Sequence, residues 1–175
     1  MSWPFMAYHA TLELQKRLTP ETLVWEWGTG ASTLWFAERC KKVTGVEHNL
    51  PFYLEMSAKV PSNVRLVYAE LVTGYYVIGG KYDVIVVDGR MRVRCVRKAI
   101  PCLNMGGTLV LDDTYRDEYR AAMEMLKDWP NETWEENLGF PSIQKQTTLW
   151  TKTEERESSY YDEIMNRIGI PDELA

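Results

Sequence analysis

The sequence predicts an α/β fold, a mostly parallel sheet with helices on both faces. Three observations predict it. Short apolar runs recur along the chain with helix-length segments between them. The first run, residues 22–27, leads into Gly28-Thr29-Gly30 and then Ala31-Ser32-Thr33. Acidic residues also recur where the runs end: Glu26, Glu47, Glu70, Asp88 and the pair Asp112-Asp113. In such sheets ligands bind outside the carboxyl ends of the strands, so the acids gather where chemistry would be.

Taken in order, residues 7–18 read as a short helix with Leu12, Leu14 and Leu18 on its apolar face, ended by Pro20. The strand at 22–27 follows. Gly28 and Gly30 permit torsions and close approaches that a Cβ would forbid, and Ser32 and Thr33 can cap the helix at 32–39. A second strand covers 42–48, and Asn49 or Pro51 starts the next helix, stopped by Pro61. A third strand at 64–69 closes on Glu70. Residues 71–81 hold Gly74, Gly79 and Gly80 and read as a shortened connection. Residues 82–88 form the plainest buried strand, followed by a helix at 93–103. Gly106-Gly107 makes a turn, and a fifth strand runs over 108–111. A helix at 115–129 is bounded by Pro130. Strands near 133–136 and 147–151 would close the sheet as an edge hairpin. The chain reads as one domain over 1–175, with its core at about 20–152 and a helical tail at about 156–175. The amphipathic stretch 159–168 in that tail, with Tyr160, Ile164 and Ile168, suits either the domain or a second subunit in a homodimer.

Composition narrows the function classes. The chain has 175 residues, 45% hydrophobic and 26% charged, which suits one globular domain with a substantial core. A net charge of -5 speaks against a general nucleic-acid binder. No stretch is long and apolar enough to cross a bilayer, and the first residues lack a basic stretch followed by an apolar run. Cys40, Cys95 and Cys102 have no metal-ligand spacing and read as reduced thiols. The expectation is a cytoplasmic protein with neither a nucleic-acid nor a membrane partner.

The glycine turn followed by Glu47 fits a nucleoside ligand, because a carboxylate accepts two hydrogen bonds from vicinal ribose hydroxyls. A nicotinamide cofactor would prefer a third glycine where Thr33 stands. Glu26 would also repel its pyrophosphate, whereas it would favour a ligand carrying an amino group and a sulfonium. The loop therefore points to S-adenosylmethionine, with a nicotinamide-dependent oxidoreductase as the weaker alternative.

The stretch Val24-Trp25-Glu26-Trp27-Gly28-Thr29-Gly30-Ala31-Ser32 resembles the first motif of class I S-adenosylmethionine-dependent methyltransferases. It is most similar to the variant found in small-molecule O-methyltransferases. Val46-Glu47-His48, the run from Tyr82 to Gly89 and the run from Gly106 to Asp113 resemble the second, fourth-strand and fifth-strand motifs in order. The resemblance covers about half the chain. It implies a Rossmann-like seven-stranded sheet whose last strand is antiparallel, and methyl transfer to an oxygen of a small molecule. It implies that Glu26, Gly28, Thr29, Gly30 and Ser32 hold the methionine part, Glu47 with His48 the ribose side, and Glu70 the adenine region. Asp88 belongs to both the cofactor and the catalytic set.

Some members of that family use a divalent cation, which implies Asp88, Asp112 and Asp113 as Mg²⁺ ligands. The alternative is that Asp112-Asp113 only cap the next helix. The run Arg90-Met91-Arg92-Val93-Arg94 departs from the cation-dependent pattern and resembles a smaller Asp-Gly-Arg branch. Arg90, Arg94 and Arg97 share a helical face, and could replace the metal by pairing with the acids or hold an anionic group of the acceptor. Arg90 and Asp113 join Asp88 as catalytic candidates, and Tyr115 and Arg116 would line the acceptor pocket. A methyltransferase-like binding protein without turnover is the reading of another class.

Overall fold

The computed structural model describes residues 3–137 and 144–168. Seven strands form one mixed sheet in the order β3-β2-β1-β4-β5-β7-β6. They are β1 (Leu23–Trp27), β2 (Lys42–Glu47), β3 (Val64–Tyr68), β4 (Tyr82–Val87), β5 (Leu103–Asp112), β6 (Asn131–Asn137) and β7 (Gln144–Thr151). The first five pair in parallel, and β7 runs antiparallel between β5 and β6. This is the expected Rossmann-like methyltransferase architecture, with its antiparallel C-terminal hairpin. Strand order reverses between β1 and β4, so their carboxyl ends border the crevice where ligands of open α/β sheets bind.

Side chains alternate across each strand, so β4 feeds two cores. Ile85 and Val87 join Trp27, Leu109 and Leu111 beneath α4 (Arg92–Ala99) and α5 (Arg120–Met125). Val84 and Val86 join Val24, Val110 and Leu149 beneath α1 (Tyr8–Arg17) and α2 (Ala31–Ala37). Glu26 and Asp112 lie two residues on from Val24 and Val110, so both acids point to the α1/α2 face. α3 (Leu50–Ser57) starts at Asn49, whose side chain accepts from Phe52 N–H, which settles the choice between Asn49 and Pro51. The tail helix α6 (Ser158–Ile168) packs on the domain, burying Tyr161 and Ile164 against α5. Arg97 of α4 pairs with Asp162 of α6.

Three boundaries differ from expectation. β5 starts at Leu103 and runs through the glycines, because Gly106 takes φ +76° and the pairing with β4 shifts register there. The α4 helix ends at Ala99, where Pro101 turns the chain into a single 3₁₀ turn. In place of a helix over 115–129, a 3₁₀ turn at Asp117–Tyr119 leads into the short α5. Ser32 and Thr33 do not occupy the N-cap of α2. Gly30 does, and Thr33 at the third helical position accepts from the Gly30 N–H at 2.9 Å.

Candidate functional site

The ends of β1, β2 and β4 enclose a cavity of about 270 Å³. Residues 28–32 form one wall, Glu47 and His48 a second, residues 88–90 a third, and Phe5 stands at the rim. The structure thus brings together Gly28, Thr29, Gly30, Ser32, Glu47, His48, Asp88 and Arg90.

The glycines have separate jobs. Gly28 has φ +89°, and a Cβ there would lie 2.8 Å from the Asp88 carbonyl and the Gly89 nitrogen. The turn after β1 is therefore clamped against the turn after β4, which places Asp88 beside it. Gly89 is needed for another reason: its Cβ would meet the Tyr75 hydroxyl at 1.8 Å. Tyr75 comes from the irregular 71–81 segment, is fully buried, and accepts from the Arg90 N–H at 3.2 Å. Its own carbonyl receives the Trp27 indole N–H at 2.7 Å. That segment thus supplies the floor beneath the third wall, a role its sequence pattern did not show.

Glu47 is buried and held in place by the backbone around it. One oxygen accepts from the His48 and Asn49 N–H groups at 2.8 Å each, and the other from the Thr29 hydroxyl at 3.2 Å. Glu26 lies behind the turn rather than on the cavity wall. It is fully buried, and one carboxylate oxygen accepts from the Thr33 hydroxyl at 2.5 Å. Its other oxygen, Oε1, has no partner among the described residues. Burial pushes its pKa up to about 7, against the hydroxyl donors Ser32 and Thr33 that favour the charge. Glu70 stands apart: it is exposed beyond β3, and its carbonyl caps the turn that leads to Tyr75.

On the β5 side, Asp88, Asp112 and Asp113 offer oxygens that all lie within 4.8 Å of one another. Cations of the chain already fill the space between them. Lys145 Nζ lies 2.7 Å from Asp112 and 3.3 Å from Asp113. The Arg92 guanidinium lies 3.0 Å from Asp88 and 3.4 Å from Asp113, and donates to the Asp112 carbonyl at 2.6 Å. Arg116 reaches Asp113 at 3.3 Å. The second Asp112 oxygen accepts from the Thr147 hydroxyl at 2.5 Å, and Thr147 in turn accepts from the Ala7 N–H at 3.0 Å. Three carboxylates thus face three cations. A divalent ion would have to sit beside Lys145 and Arg92, and unit like charges near 4 Å repel by roughly 4 kcal/mol in a partly buried setting. The residues present do not fit Mg²⁺, contrary to the expected ligand set.

Asp88 is pushed up to about 8, first by burial and then by the neighbouring Asp112 carboxylate, with Arg92 opposing. Burial alone would depress Lys145, but Asp112 and Asp113 outweigh it and hold its ammonium above the usual lysine range.

The expected arginine face does not meet the acids. Arg97 pairs with Asp162, and Arg94 lies over the Tyr76 ring at 4.5 Å. Arg90 precedes the helix and lines the cavity rim. Met91 adopts φ 51°, which re-aims the chain so that Arg92 turns inward. Asp113, itself at φ 57°, is enclosed by Arg92, Lys145 and Arg116 instead of facing the cavity. Arg92 and Lys145 are the residues that sequence reasoning missed. The spacing of Asp88 and Arg92, four apart, was a usable signal; nothing local marked Lys145. Tyr115 and Arg116 line a separate cleft between α5 and the hairpin.

No family model matches the chain, and no curated protein matches it. Solved structures do. The precorrin 8W decarboxylase from Methanobacterium thermoautotrophicum superposes with a TM-score of 0.67 at 18% identity, covering 87% of this chain and 94% of that one. The N-methyltransferase NodS from Bradyrhizobium japonicum WM9 gives 0.66 at 15% identity, over 83% and 94%. Its complex with S-adenosyl-L-homocysteine gives 0.63 at 16% identity, over 83% of this chain and 87% of that one. An rRNA methylase from Streptococcus thermophilus gives 0.63 at 16% identity, over 80% and 92%. What these share with the chain is the fold.

Proposed function

We propose that the chain is an S-adenosylmethionine-dependent methyltransferase acting on an oxygen of a small molecule. One observation carries the reading: a buried carboxylate, Glu47, is clamped by backbone N–H groups on the wall of the same cavity as the glycine turn. Oε1 is taken by two N–H groups, so Oε2, which has only the longer Thr29 contacts at 3.2 and 3.4 Å, is the oxygen that would accept a ribose hydroxyl. Behind the turn, Glu26 Oε1 is a buried acceptor without a partner among the described residues, and its charge would act through the turn on a ligand bearing a cationic ammonium or sulfonium. The residues fit this cofactor, and NodS, of the same fold, was solved with its demethylated product.

Bound here, the cofactor would supply an electrophilic methyl group on a sulfonium. The chain would supply the rest. The turn and Glu47 fix the nucleoside, and the Asp88 wall bounds the acceptor side. An acceptor hydroxyl would lie against the Asp88 wall, and ionised Asp88 would take its proton as the methyl group is transferred, its raised pKa making it a stronger base than a solvated aspartate. Arg90 at the rim would draw an anionic acceptor. With its net charge of -5, the protein is a poor match for a polyanionic RNA substrate.

The test is transfer of labelled methyl from S-adenosylmethionine to a panel of hydroxylated small molecules. Label on an acceptor oxygen supports the reading. Cofactor binding with no transfer to any acceptor would instead favour a methyltransferase-like binding protein.

A further inference from the structure

We infer that Lys145 and Arg92 take the place of a divalent metal, so that the acidic cluster beside the cofactor cavity is an internally neutralised, metal-free acceptor site. The inference rests on the preceding reading only for the word acceptor; the neutralised cluster is a claim about the chain itself.

Three independent contacts carry it. Lys145 Nζ bridges Asp112 and Asp113, at 2.7 and 3.3 Å, where a bridging ion would sit. Asp112, fully buried, has no oxygen left over, because Thr147 occupies the second one and is itself fixed by the Ala7 N–H. Arg92, also buried, spans Asp88 and Asp113 and ties the ends of β4 and β5 by donating to the Asp88, Gly89 and Asp112 carbonyls. Recruiting the three carboxylates to an ion that demands near-octahedral oxygen ligation would mean expelling both cations and breaking these bonds. The Phe5 ring lies 4.4 Å from Lys145 Nζ and also lines the cavity rim, so it forms the partition between the ammonium and the ligand space.

Lys145 is thus a positioning residue. It holds Asp112 and Asp113 in place behind the Phe5 partition, which leaves Asp88 as the acid of the cluster on the cavity wall. Such a site selects a hydroxyl acidic enough to react without metal activation, such as a phenol or an enol, in preference to a simple alcohol or a catechol held by chelation.

The test is Mn²⁺ alone, titrated into the whole protein and followed by electron paramagnetic resonance. Wild type is expected to bind no Mn²⁺ at millimolar concentration. Lys145→Met, which empties the bridging position and keeps the chain volume, is expected to tighten Mn²⁺ binding at least tenfold, while Lys145→Arg stays silent. Stoichiometric Mn²⁺ binding by wild type, or no gain in a folded Lys145→Met, overturns the inference. Should Lys145→Met fail to fold, the wild-type titration decides alone. A parallel titration with S-adenosylhomocysteine separates the two readings: a protein that binds neither ligand loses the proposed function and keeps the metal-free cluster.

Discussion

The two halves of the crevice are built from the same material and treat it in opposite ways. On the β1/β2 side, Glu26 and Glu47 are buried with hydroxyl and N–H donors, and no lysine or arginine is paired with either among the described residues. On the β4/β5 side, Asp88, Asp112 and Asp113 are each met by a guanidinium or an ammonium. A buried carboxylate without a cation keeps an unmet demand for positive charge, whereas one paired inside the fold does not. The first half leaves one carboxylate oxygen, Glu26 Oε1, without a partner among the described residues. The second is paired within the fold, with Asp88 its one acid on the cavity wall.

Removing an acid should therefore have opposite effects in the two halves. Asp112→Ala strands Lys145 in a buried position and frees the Thr147 hydroxyl that anchors the N-terminal segment. The expected loss is about 3–5 kcal/mol, read from urea denaturation. A change below 1 kcal/mol would mean that the cluster is not neutralised as described.

Glu26→Gln should do the reverse. Its folded pKa of about 7 lies above the ordinary glutamate value of 4.5, so Glu26 adds stability below pH 4.5 that is lost as pH rises through 7. The rise corresponds to roughly 3 kcal/mol. Glu26→Gln is expected to raise the melting temperature of the ligand-free protein at pH 8 and to leave it nearly unchanged at pH 4. Equal melting curves at pH 8 would remove Glu26 from the account.

A smaller effect sharpens the ligand claim. Affinity for S-adenosylmethionine should rise with pH across about 7, where Glu26 becomes charged, and Glu26→Gln should flatten that profile. Because Asp88 also titrates near there, at about 8, Asp88→Asn must leave most of the rise in place. The smallest expected effect is that of chelation. Excess EDTA should change neither melting temperature nor cofactor affinity, and a fall in either would return the metal to the β4/β5 half.

The contrast also marks what the sequence could convey. The glycines, Ser32 and Glu47 are set by short-range strand–turn–helix chemistry, so their shared cavity is readable from spacing, whereas Glu26 lies behind the turn. The β4/β5 half depends on long-range register. Lys145 meets Asp112 only because β7 pairs antiparallel with β5, Thr147 opposite Asp112, and begins early enough to carry Lys145 past its end. Arg92 faces inward because Met91 takes a left-handed conformation that no helical wheel contains. A regular helix would bring Arg90, Arg94 and Arg97 to the acids; the structure pairs Arg92 with Asp88 and Asp113 instead. Tyr75, in a segment without periodicity, left no pattern to read.

The central claim is that the β1/β2 half is an S-adenosylmethionine site, and calorimetric titration of S-adenosylhomocysteine in EDTA tests it most directly. The account predicts one-to-one binding by wild type and at least a tenfold loss in Glu47→Ala, the scale of one or two hydrogen bonds to a charged group. No heat from wild type at millimolar ligand, or equal affinity in Glu47→Ala, would contradict it.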